Sequence, residues 1–176
     1  MAKSLKELAK TKPIDKITIK DITDNCGLSK RTFYHNFQDK AELVLFEYSL
    51  SLSKVFNSQG FTKLGKKYID HAAEEREWVS KFIDRILDLG GCVKHECGQT
   101  SPVISDVHEY LKADNKESVD GLKLLDSHID CETLDYATFD LLKDYYVDEE
   151  GDMAWTSQQL DLIDRFGINN YLIGQL

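Results

Sequence analysis

Proline occurs only twice in 176 residues, at Pro13 and Pro102. A chain so poor in the residue that interrupts helices can run long helices without a break. Nowhere does an apolar run reach the roughly 18 residues that a membrane-spanning helix needs. The amino terminus, Met-Ala-Lys-Ser, lacks the apolar core of a secretion signal. Both absences predict a cytoplasmic protein with no membrane contact. Four cysteines, Cys26, Cys92, Cys97 and Cys131, do not read as a secreted disulfide framework in this setting. Cys92 and Cys97 flank His95, yet a zinc site asks for about four ligands, so free thiols in a loop are expected there. Alternation of apolar and polar residues is scarce too. Apolar residues recur mostly three and four apart, the helical period. The fold class expected is all-α.

What is present is unevenly spread. Residues 1–46 hold nine Lys/Arg against six Asp/Glu, whereas the remainder holds 13 against 25. A modestly basic head on a strongly acidic body suits a DNA reader joined to something that phosphates repel.

The head carries the most informative stretch of the chain, residues 18–43. Thr18 can cap a helix, with Asp21 three residues on, close to a capping box. Ile19 and Ile22 recur at helical spacing. Gly27 falls where a chain leaving a helix often needs a positive φ, and Ser29 can cap a second helix. That helix opens with Lys30 and Arg31 and carries Thr32, Tyr34 and His35, donors suited to phosphates and base edges. Phe33 and Phe37, four apart, can anchor its back. The pattern is a helix-turn-helix. The run T-I-x-x-I-x-x-x-C-G-L-S-K-R-T-F-Y-x-x-F-x-D-K-x-E-L resembles the DNA-binding domain of the tetracycline-repressor (TetR) family. The resemblance covers roughly residues 3–46. It implies that the second helix enters the major groove of duplex DNA, with Thr18, Ser29, Lys30, Arg31, Thr32, Tyr34, His35 and Lys40 facing the duplex. Tyr34 and Lys40 take the family's phosphate-contacting positions.

Beyond the head, periodicity predicts helices over about 40–57, 63–89, 105–128 and 134–166, with a short tail from 168 to 176. Gly60, the Gly90-Gly91 pair and Gly167 mark breaks. Two helices, a long crossover and two more helices is the plan of a ferritin-like four-helix bundle. Glu42-Leu43-Val44, Phe56, Gly60, Glu75 and residues 82–91 look like the first two helices of bacterioferritin and related Dps-like proteins. Residues 148–155, 159–163 and 167–172 are similar to its last helix and tail. This second resemblance covers about 42–176. The expected domains are therefore 1–46, a helix-turn-helix, and 42–176, a bundle whose first helix is truncated and shared with the linker.

The bacterioferritin resemblance implies a di-iron site built from a Glu on each of two helices and a Glu-x-x-His on each of the others. Glu42, Glu75 and Glu149 match the glutamates. Trp78 and Asp152 stand where the histidines belong, and Ser118 takes the third-helix Glu position. A carboxylate set of Glu42, Glu75, Glu149 and Asp152 then remains for iron or another divalent metal such as Mn²⁺, Mg²⁺ or Ca²⁺, with Trp78 expected beside it. Arg76 matches the haem-ligating methionine, so no haem and little ferroxidase activity are expected. His71, one turn before Glu75, reads as a surface histidine, as do His108 and His128. Tyr136, Phe139, Tyr145 and Tyr146 read as packing residues.

Two functional readings follow. In one, the chain is a DNA-binding regulator whose helical body forms a homo-oligomer, a dimer, and senses metal or redox state. In the other, it is an iron-binding or iron-storage protein with a degenerate site. The intact reader and the damaged ligand set favour the first. The extra head occupies the place where neighbours pack in a hollow cage, which favours a dimer.

Overall fold

The structure is a computed structural model that describes residues 1–37, 39–93, 103–130 and 132–176, apart from the side chains of Ala41 and Leu45. His95, Cys97 and Cys131 lie outside the described residues. Cys26 and Cys92 are free thiols. All regular structure among the described residues is helical, and none of these helices is long and apolar enough to cross a membrane.

The head contains α1 (Ala2–Leu8), a 3-10 turn (Ile14–Lys16), α2 (Ile19–Cys26) and α3 (Lys30–Asn36). Leu5, Ile17, Ile22, Phe33 and Leu43 form its core, all nearly sealed from water. Leu43 belongs to α4 (Lys40–Ser58), so the first helix of the body supplies part of the head's core. Lys6 strengthens that junction. Its ammonium lies 2.6 Å from the buried carboxylate of Glu47 and donates to Ser51 Oγ at 3.1 Å.

In the body, α4 packs on α5 (Thr62–Asp88), and α6 (Val107–Asp126) packs on α7 (Tyr136–Phe166). These bounds fall within two residues of the periodicity. Both α6 and α7 begin on a side-chain cap: Asp106 accepts from Glu109 N at 2.9 Å and Asp135 from Thr138 N at 3.0 Å. The core joins Leu52, Phe56, Leu64, Tyr68, Val107, Tyr110, Leu111, Ile163 and Tyr171. Its centre is an aromatic group in which the Tyr68 and Tyr110 rings meet edge-on at 4.8 Å and both touch Phe56. The tail forms α8 (Ile168–Ile173), and Gln175 O accepts from Lys63 N at 3.2 Å, which closes that end of the bundle.

The opposite end is less complete. With 19 residues against 27, α4 is shorter than α5 by about 12 Å at 1.5 Å per residue. Val79 and Ile86 continue the apolar stripe of α5 beyond the reach of α4 and are 43% and 40% exposed. Tyr136, expected to pack, is 89% exposed at the first turn of α7.

Candidate functional site

The turn between α2 and α3 is built from local hydrogen bonds. Thr18 Oγ1 accepts from Asp21 N at 3.1 Å, and Asp21 Oδ2 accepts from Thr18 N at 2.8 Å, a complete capping box. At the other end of α2, Gly27 adopts φ 68°, and Leu28 N donates back to Thr23 O at 3.0 Å. This left-handed exit is one that glycine enters without steric cost. Ser29 Oγ then accepts from Thr32 N at 3.1 Å and starts α3. Phe33 is fully buried on the inner side of α3, with Phe37 packed 5.8 Å from it.

The outer side of α3 is open. Lys30, Arg31, Thr32, Tyr34 and His35 are all exposed. Arg31, Thr32, Tyr34 and His35 line an open concavity of about 610 Å³. The sequence places these donors on one short helix, and the buried Phe33 turns them outward.

Lys40 departs from its expected phosphate-facing role. Its ammonium donates to the carbonyls of Ile14 at 2.8 Å, Asp15 at 3.2 Å and Ile17 at 2.9 Å. Those three acceptors use all three protons of the group. In this structure Lys40 finishes the 3-10 turn and ties it to α4. It sits 23 to 26 residues from its partners, so no local pattern announces them.

The body holds a polar cluster where α5 and α7 face each other. His71, Glu75 and Asp152 each offer a ligand atom, and these atoms all lie within 4.8 Å of one another. Lys67 Nζ donates to Asp152 Oδ1 at 2.8 Å, and His71 Nδ1 lies 3.1 Å from Asp152 Oδ2. Nδ1 is shielded from water and makes no well-aligned hydrogen bond, so this contact is an ion-pair approach. His71 therefore faces the bundle and is not the surface histidine expected. A cavity of about 20 Å³, bordered by His71, Asp114, Glu149 and Asp152, adjoins the cluster. That is room for one water-sized occupant.

The charges are unequal in their support. Burial, and then the nearby Glu149 carboxylate, push Glu75 up to about 7. His71, and then Lys67, hold Asp152 down at about 2. Contact with Asp152 raises His71 in turn. Asp114, on α6, is raised chiefly by burial, although Tyr68 Oη donates to it at 3.1 Å.

The other expected ligands do not join this cluster as a set. Glu42 pairs with Arg76: Nε donates to Glu42 Oε1 at 2.9 Å, and Nη2 is 2.8 Å from the same oxygen. The expectation that Glu42 converges with the other carboxylates is corrected accordingly; an arginine at position 76 captures it. Glu149 stays near Glu75, and burial and then the Glu149 carboxylate push the Tyr145 hydroxyl up. Trp78 donates Nε1 to Asp148 Oδ2 at 2.6 Å and packs on Tyr145 and Phe82. Ser118 donates to its own helix, to Asp114 O at 3.2 Å.

Two residues that the sequence did not single out as ligands border this centre. His71 lies four before Glu75, and Asp114 lies four before Ser118. Each is displaced by one helical turn in the same direction along its helix. The signal available was the i, i+4 spacing, which puts both pairs on shared helix faces.

Comparison with known proteins matches two segments of the chain. The ferritin-like domain matches residues 36–166, well over half of the chain. The chain belongs to the ferritin-like family. Residues 3–45 match the segment described as bacterial regulatory proteins, tetR family. Among curated relatives, the bacterial ferritin of Neisseria meningitidis serogroup B is 33% identical over 151 residues, covering 81% of this chain and 94% of the relative. The bacterioferritin of Brucella melitensis biotype 1 is 31% identical over 125 residues, 70% of this chain and 76% of the relative. The bacterial ferritin of Pseudomonas aeruginosa is 32% identical over 132 residues, 70% and 82% respectively.

This ferritin-like chain does not fit the paired-iron arrangement that its family implies. Glu42 is neutralised by Arg76, Trp78 turns its Nε1 to Asp148, and Ser118 donates to a carbonyl of its own helix. A single ion is a different matter. His71, Glu75 and Asp152 present one imidazole nitrogen and two carboxylates at close range, with His71 Nδ1 lacking an aligned partner. That mixed donor set suits a first-row divalent metal.

Proposed function

We propose that this chain is a duplex-DNA-binding regulator whose ferritin-like body dimerises and holds one divalent cation at His71, Glu75 and Asp152. The observation that carries the reading is α3. It is a capped helix anchored by a fully buried Phe33, with Lys30, Arg31, Thr32, Tyr34 and His35 on its free side. In this reading those five residues meet base edges and phosphates in the major groove, while Thr18 and Ser29 border the backbone at the helix starts. The surplus of basic residues in 1–46 attracts the duplex, and the acidic body keeps the remainder of the chain away from it.

A single short recognition helix reads few base pairs, so two copies engage half-sites about 34–36 Å apart. The domain limits proposed are 1–46 for the reader and 42–176 for the body, with α4 shared between them. Iron storage is the weaker reading because the Glu42–Arg76 pair takes a principal ligand out of the bundle centre.

Selection from a randomised duplex library, alongside native mass determination, tests the proposal. Enrichment of a two-part site by a dimer is the expected result. Failure to enrich any duplex at low salt, with rapid Fe²⁺ oxidation by a multi-subunit shell, would replace this reading by the iron-storage one.

A further inference from the structure

Arg76 stands next to Glu75 in sequence, yet its side chain leaves the cluster and reaches the reader. The guanidinium bonds Glu42 in the first turn of α4. It also lies 5.9 Å from the centre of the Phe37 ring and 5.7 Å from that of Phe46. Phe37 is the residue on which α3 ends, and its ring touches both Phe33 and Phe46. One side chain from α5 therefore touches the end of the recognition helix and the start of the helix that carries it. Lys6 also fastens the reader, but to α4, which is continuous with the reader. Arg76 fastens it to a helix that is not.

We propose that Arg76 is a positioning residue for DNA reading: it fixes the angle at which α3 projects from the bundle. This inference rests on the duplex-binding reading above. The chemistry favours arginine. A planar guanidinium can hold a carboxylate by its edge and stack its face on aromatic rings at once, which an ammonium cannot. The pair is also partly shielded, with side chains 33% and 15% exposed, so its attraction is screened less than that of a surface pair. Without the clamp, the reader is held to the body through α4 and its own core. A dimer must present two α3 helices at one separation and orientation. Each loosened reader spends less time in the productive pose, and apparent affinity falls in proportion to the competent fraction.

The experiment uses the full chain and two duplexes: the two-part site enriched by the wild type, and the same duplex with one half-site scrambled. If each freed reader is competent about a third of the time, Arg76→Gln weakens binding to the two-part site about tenfold. Binding to the single half-site stays at the wild-type level, because a lone half-site accepts a reader at any angle to the bundle. The competent fraction therefore counts only when both readers must engage, and no base or phosphate contact is lost. Arg76→Gln also tolerates an inserted base pair between half-sites better than the wild type does. Arg76→Lys and Glu42→Gln give intermediate losses, since each keeps part of the clamp. Circular dichroism and native mass confirm that the variants remain folded dimers; should Arg76→Gln fail to fold, the two milder variants carry the same comparison. Wild-type affinity for the two-part site in folded variants overturns the inference while leaving the DNA-reading proposal intact. Equal losses on both duplexes also overturn it, because they indicate a contact or stability effect. A wild type that enriches no duplex removes both proposals together.

Discussion

Replacing Lys67 by Met separates a cation site from a purely structural ion-pair network. The ammonium donates to Asp152 Oδ1 at 2.8 Å and lies 5.3 Å from the centre of the Trp155 ring. Methionine keeps an unbranched apolar stem against that ring and removes the charge. In the metal-free protein the loss is small, about 1 kcal/mol, because the pair is partly exposed. The effect on a bound cation is larger and opposite in sign. A divalent ion ligated by Asp152 stands about 5 Å from the ammonium, and their repulsion is about 7 kcal/mol at a dielectric of 20 but about 2 kcal/mol in water. Lys67 and Asp152 are 30% and 21% exposed on their side chains, and the lysine can swing outward, so the lower figure applies. Lys67→Met should therefore bind Mn²⁺ about thirtyfold more tightly. Isothermal titration measures this directly, and the metal-dependent rise in melting temperature checks it independently. His71→Ala should abolish the same binding. Equal Mn²⁺ affinity in wild type, Lys67→Met and His71→Ala would refute the site, leaving His71, Glu75, Asp152 and Lys67 as a structural network alone.

Other consequences concern the reader. Phe33 is fully buried, so Phe33→Ala should destabilise the head by about 3–5 kcal/mol; duplex binding is then lost at temperatures where circular dichroism still reports a folded body. Gly27 adopts φ 68°, and a Cβ there would meet nothing within 4 Å. Gly27→Ala should thus cost only the left-handed backbone strain, about 1–2 kcal/mol, measurable by denaturant unfolding. Asp21 is held at about 2, first by the hydrogen bond from Lys12 and then by those from Thr18. Its folded pKa lies below the unfolded value, so its contribution is complete above about pH 4 and is lost as pH falls toward 2. Asp21→Asn should flatten the acid limb of reader unfolding over that window, and an unchanged limb would count against the Asp21 carboxylate, held by Lys12 and Thr18, as its source.

The helices and their ends were legible in the sequence because their causes are local. Thr18 and Asp21 are three residues apart, as are Ser29 and Thr32, and Asp135 and Thr138. The spacing of apolar residues placed the body helices, and glycines with positive φ ended α2 at Gly27 and α7 at Gly167. The outward face of α3 was legible for the same reason: once Phe33 faces inward, helical geometry directs Arg31, Thr32, Tyr34 and His35 elsewhere. Only the tertiary structure decided where the charged groups went. Lys40 found carbonyls 23 to 26 residues away, Arg76 found Glu42 34 residues away, and Lys67 found Asp152 85 residues away. A carboxylate's partner is set by which cation the packed helices bring within reach. Spacing along one helix cannot reveal a competitor on another. That is why Glu42 read as a ligand and became the anchor of a clamp, while His71 read as surface and came to face Asp152 across the bundle.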